Sequence, residues 1–167
     1  MNQFIEIVVC AAVLALPFVV SSIYMNALEK NAKKIIQANS NSSSEIYTDL
    51  HVWFKHFNAL KKKNKFDSNL YQTSYSFNRC DLILNDKNFV VIGKTKILGK
   101  YKALTPTIFE KDNTAKAVYA RHVSIENIQY VGSDLEIEFT DYNYPNKITM
   151  VITNATSELK EKIKNVN

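Results

Sequence analysis

Three histidines, two cysteines, three glycines and sixteen acidic residues are the material from which any catalytic or metal centre in this chain would have to be built. His51 and His56 stand five apart, so a helix would not bring them onto one face, and neither they nor His122 falls in an HExxH or other ligand spacing. Cys10 lies in an apolar run and Cys80 far downstream, which leaves no CxxC pair and no disulfide framework. Gly93, Gly99 and Gly132 are too few and too scattered to cradle a phosphate, and neither GxSxG nor SxxK occurs. Glu136 and Glu138 alternate with apolar residues and read as the solvent face of a strand. These residues lead to the expectation of a protein that is not an enzyme and uses no cofactor and no metal.

What remains is lysine chemistry. In Gly93-Lys-Thr-Lys-Ile-Leu-Gly-Lys-Tyr-Lys102, Lys94, Lys96, Lys100 and Lys102 surround Ile97 and Leu98; Lys61, Lys62, Lys63 and Lys65 form a second group. An apolar tip ringed by lysines suits an anionic lipid headgroup layer, or an unidentified protein partner. The competing reading turns Ile97 and Leu98 inward as core of a continued strand. Nineteen lysines against two arginines argue against a nucleic-acid partner, because phosphate and base recognition favours the planar guanidinium fork. Charge is also uneven: residues 26–65 carry eight lysines and three acids, net +5, whereas residues 66–167 carry thirteen basic and twelve acidic residues, net +1. The lysine and asparagine bias reads as that of an AT-rich bacterial genome.

The elements that carry these lysines begin with an anchor. Phe4–Met25 holds Glu6 as its only ionisable side chain apart from Cys10 and Tyr24, and its roughly 33 Å of helix covers a bilayer core of about 30 Å. A signal peptide would need a basic start and a shorter apolar stretch. Lys30, Lys33 and Lys34 follow the run and no Lys or Arg precedes it, so the positive-inside rule sets residues 26–167 in the cytoplasm, at the inner membrane. Residues 1–25 are thus expected as a single-pass transmembrane anchor. Residues 26–70 are expected as juxtamembrane helices interrupted by the Asn39–Ser44 linker. One of these continues over 26–39 with Leu28, Ala32, Ile35 and Ile36 on one face. The other is an amphipathic helix over 46–60, from Ile46, Leu50, Trp53, Phe54, Phe57 and Leu60, docked on the domain or on the membrane.

From Tyr71 the period shortens to two. Runs at Tyr71–Phe77, Asp81–Leu84, Phe89–Ile92, Tyr101–Phe109, Ala117–Arg121, Ser124–Tyr130, Leu135–Thr140 and Ile148–Ile152, separated by turn residues, predict an antiparallel meander. A final helix is capped by Asn154 or Thr156 and turns Leu159, Ile163 and Val166 inward. The chain is therefore α+β, with a soluble domain over 71–167.

A bent sheet of about seven strands closed by one C-terminal helix resembles the pleckstrin-homology-like superfold, in its bacterial and GRAM-like members. The likeness lies in the hairpin pattern Asp81-Leu-Ile-Leu-Asn-Asp-Lys-Asn-Phe-Val-Val-Ile-Gly93 and in Val123-Ser-Ile-Glu-Asn-Ile-Gln-Tyr-Val131. The resemblance implies a PH-like antiparallel barrel with a capping helix. The family's last-helix tryptophan and arginine-bearing phosphoinositide motif have no counterpart here, so it implies no ligand. Phe4-Ile-Glu-Ile-Val-Val is similar to the start of type IV pilin-like subunits, without their basic leader or preceding glycine. Three functions follow in order: a membrane-tethered binding or scaffolding module facing the cytoplasm, an extracytoplasmic pilin-like or envelope-assembly subunit, and a membrane-anchored enzyme.

Overall fold

The computed structural model describes residues 2–39, 43–55, 75–86, 88–97, 99–110, 120–141 and 147–166. Helix α1, Asn2–Asn39, runs without interruption through Pro17, about 57 Å at 1.5 Å per residue. It changes character midway. Residues 7–24 are exposed on every side, whereas Met25, Ala32 and Ile35 are buried and Leu28 and Ile36 partly so. The spacing of three and four between these positions puts them in one stripe.

Eight strands follow: β1 Glu45–Lys55, β2 Arg79–Leu84, β3 Asn88–Ile97, β4 Lys100–Ala103, β5 Thr107–Glu110, β6 Arg121–Val131, β7 Asp134–Asp141 and β8 Ile148–Ile152, then helix α2, Ser157–Asn165. Seven strands close a barrel in the order β1-β8-β7-β6-β5-β3-β2, returning to β1, and β4 is an extra strand on β3. The fold is α+β, as expected. The meander is not purely antiparallel, because β5 and β6 pair in parallel, Thr107 with Arg121 through Glu110 with Ser124. Closure explains this. Strand directions cannot alternate around a ring with an odd number of members, so one neighbouring pair must be parallel.

The amphipathic helix expected over 46–60 is corrected by the structure: Glu45–Lys55 is β1, paired with β2 and β8. Residues 56–60 lie outside the described residues. The apparent helical stripe mixes residues of both strand faces, and the alternation is interrupted by a bulge between Tyr47 and Leu50, where Asp49 has φ 59°. One extra residue resets the alternation. Tyr47, Leu50, Val52 and Phe54 pack inward, while Ile46 and Trp53 are exposed. The content of Ile, Tyr, Thr, Val, Trp and Phe favours a strand. The sheet thus includes a segment upstream of Tyr71. The run expected over Tyr101–Phe109 is split into β4 and β5 by residues 104–106, which belong to no strand and include Pro106, which has no N–H for a ladder.

Inside the barrel an aromatic chain crosses the lumen: Phe89 stacks on Phe109 at 4.7 Å, Phe109 meets Phe139 edge-on at 4.9 Å, and Tyr75 and Phe54 continue it to Phe77. One end is closed by α2, whose Leu159 and Ile163 are buried and whose N-cap Thr156 hydroxyl accepts from the Leu159 N–H at 3.2 Å. A second core lies outside the barrel wall. Ile83, Val90, Ile92 and Ile108 point outward and are covered by Ala32 and Ile35 of α1. Residues 26–39 of α1 are therefore a layer of the domain.

Gly93 of β3 faces the Phe77 ring so closely that an added Cβ would lie 2.3 Å from it. Gly93→Ala should destabilise the barrel by about 1–3 kcal/mol, read as a lower thermal midpoint. A midpoint equal to wild type would show that the ring moves aside freely.

Candidate functional site

The strand registers give the barrel two poles. Glu45 of β1 opposes Leu84, Leu84 opposes Phe89, Asn88 opposes Glu110, and Leu135 opposes Ile152, so these residues share the pole that α2 caps. Lys55, Arg79, Thr107, Arg121 and Asp141 share the other pole, beyond which the β3–β4 hairpin projects. Residues 56–74 leave from Lys55 and return at Tyr75, so both ends of the segment carrying Lys61, Lys62, Lys63 and Lys65 are at the hairpin pole; those four lysines lie outside the described residues.

In the hairpin, Lys94 opposes Ala103, Lys96 opposes Tyr101, and Ile97 opposes Lys100 across a two-residue turn. Gly99 has φ 80°, a left-handed conformation that glycine adopts without a Cβ penalty. The four lysines of the segment separate into two kinds. Lys94 Nζ lies 2.6 Å from Asp81 Oδ1, which also accepts from the Asp49 N–H at 2.9 Å, and Asp49 pairs with Arg79. Lys102 Nζ lies 2.9 Å from Glu29 on α1. Lys96 and Lys100 are exposed and make no salt bridge among the described residues. Ile97 is half-buried and belongs to neither core cluster; Leu98 lies outside the described residues. Tyr101 is 48% exposed, with the Arg79 guanidinium 5.8 Å from its ring centre.

Inside the hairpin pole, Asp141 is nearly fully buried. It accepts from the Tyr75 hydroxyl at 2.7 Å and lies 3.5 Å from Arg121 Nε, while Arg121 sits 5.0 Å from the Tyr75 ring centre. Burial raises the Tyr75 hydroxyl above its ordinary pKa, so it stays protonated. Burial also pushes the Cys80 thiol up to about 12, far from the thiolate a nucleophile needs. His122 pairs with Glu110 at 2.8 Å. Among the described residues, no three His, Cys, Asp or Glu side chains could together hold a metal ion.

Glu136 differs from its expected solvent position. Its side chain is 6% exposed, paired with Lys55 and accepting from Gln129 Nε2 at 3.1 Å. Gln129 stands opposite it on the neighbouring β6, and Lys55 reaches it from β1 across the intervening β8, a placement the alternation of β7 alone does not carry. At the capped pole, Lys162 lies 2.5 Å from Glu45 and 2.8 Å from Glu158, tying α2 to β1. These contacts show which of the described lysines are tied into the fold.

Comparison with known proteins returns no match: no family model, no curated protein and no solved structure is significantly similar to the chain.

The Lys55 hydrogen bond holds the Glu136 carboxyl below its ordinary value of 4.5, and the Lys162 hydrogen bond does the same for Glu45. A depressed folded pKa contributes stability that is complete above the unfolded value and is lost as pH falls through the folded one. The thermal midpoint should therefore drop as pH falls below about 4.5. Glu136→Gln should have a shallower acid limb than wild type, and an identical limb would remove Glu136 from the account.

Proposed function

We propose that the chain is a single-pass membrane-tethered, non-catalytic binding or scaffolding module, with its barrel on the cytoplasmic side and contacts to protein or anionic lipid. The observation that carries this reading is the division of α1. A helix segment exposed and apolar on every side is costly in water and stable in hydrocarbon, and α1 is long and apolar enough to cross a membrane. Its second half is amphipathic and packs on the barrel. Lys30, Lys33 and Lys34 at the junction support the cytoplasmic side. The filled lumen and the protonated Cys80 support binding at the surface over catalysis within.

The alternative, an extracytoplasmic pilin-like or envelope-assembly subunit, can use the same continuous helix and differs in which side the barrel occupies. Full-length protein should stay in the membrane pellet through high-salt and alkaline carbonate washes. A reporter active only in the periplasm, fused after Asn167, should be silent, and a fluorescent fusion that matures in the cytoplasm should be bright. Release by carbonate would remove the tether. The inverse pair of reporter signals would favour the envelope subunit.

A further inference from the structure

The docked half of α1 gives the barrel a direction. Glu29 meets Lys102, while Ala32 and Ile35, further along the helix, share a cluster with Ala103, Ile92 and Val90. Moving back along α1 toward its exposed apolar half therefore means moving along β4 from Ala103 toward the hairpin turn. From Glu29 back to Met25 is about 6 Å of helix, and from Lys102 to Gly99 is about 10 Å of strand. The hairpin tip thus reaches the level at which the apolar run of α1 ends. The other end of α1 agrees: Asn39 is followed by a short link to Glu45, which lies at the α2-capped pole.

At that level the hairpin offers two exposed lysines, a half-buried isoleucine outside both cores and a half-exposed tyrosine. This combination of an aromatic ring, an apolar tip and cations that make no salt bridge among the described residues matches a bilayer interface, where rings sit among headgroups and lysines reach phosphate. The two lysines facing the fold, Lys94 and Lys102, are neutralised by Asp81 and Glu29. The two at the tip are left for an external anion.

We propose that the β3–β4 hairpin is a second membrane contact, in which Lys96 and Lys100 engage the phosphates of anionic lipids while Ile97 and Tyr101 enter the headgroup layer. The hairpin and α1 then hold the barrel pole-down on the bilayer, with the α2-capped pole turned away. This rests on the tethering reading above and adds the lipid class and the residues.

The test uses the full-length chain in nanodiscs of neutral lipid, or of neutral lipid with phosphatidylglycerol, with and without brominated acyl chains. Trp53 is the only tryptophan, so Trp53→Phe with Tyr101→Trp leaves a single indole on the hairpin, and Trp53→Phe with Tyr130→Trp leaves one at the capped pole. Brominated anionic discs should reduce emission from position 101 by roughly half and leave position 130 unchanged. Lys96→Gln with Lys100→Gln should abolish the reduction, as should high salt. Hydrogen exchange over residues 95–102 of the unmodified protein should also be slower in anionic than in neutral discs, a readout independent of any substitution. Equal emission from position 101 with and without bromine, or exchange that ignores lipid charge, overturns the proposal. Failure of the chain to remain in the discs would instead overturn the tether itself.

Discussion

The interaction on which the rest of the structure depends is the packing of Ala32 and Ile35 on Ile83, Val90, Ile92 and Ile108. It covers the outer wall of β2, β3 and β5, three strands that would otherwise show water a continuous apolar surface. It also joins a helix long enough to cross a membrane to the barrel without a flexible joint. Glu29 adds a charged pin to Lys102 at the edge of that contact. Because α1 does not break between its two halves, whatever fixes the first half also orients the barrel.

Barrel closure imposes the second constraint. An odd ring demands a parallel neighbour pair, and β5–β6 supplies it. The remaining antiparallel pairs sort the connections onto two poles. One is sealed by α2 through Leu159 and Ile163 and by the Glu45–Lys162 pair. The other is sealed from within by Tyr75, Arg121 and Asp141, a buried charge whose hydrogen bonds offset its desolvation. Between them, stacked and edge-on aromatic rings cross the lumen.

Much of this was legible in the residues. The long apolar start, the amphipathic continuation through Leu28, Ala32 and Ile35, the short strands and the capped last helix each follow from one-dimensional periodicity. β1 was not, because Ile46 and Trp53 on its exposed face fall at helical intervals with Leu50 on its inner face, and the bulge at Asp49 interrupts the alternation. Leu82-Ile-Leu84 and Phe89–Ile92 did carry a usable signal: unbroken apolar runs mark strands covered on both faces, and α1 provides the second cover. The hairpin lysines are alike in sequence and differ in place. Lys94 and Lys102 find carboxylates on β2 and α1, partners that only the tertiary fold supplies. Glu136 is buried for the same kind of reason, through Lys55 on a strand distant in sequence.

The central claim, that residues 26–39 of α1 are an integral layer of the barrel, is tested most directly by adding one charge to each face of that helix. Ala32 is buried and Gln37 exposed. In full-length protein, Ala32→Glu should lower the barrel's thermal midpoint by ~5 °C or more, because an unpaired carboxylate enters an apolar contact. Gln37→Glu, with the same change in charge, should leave it unchanged. Equal midpoints for both variants and the wild type would contradict the account, since the helix would then stand apart from the barrel it is described as covering.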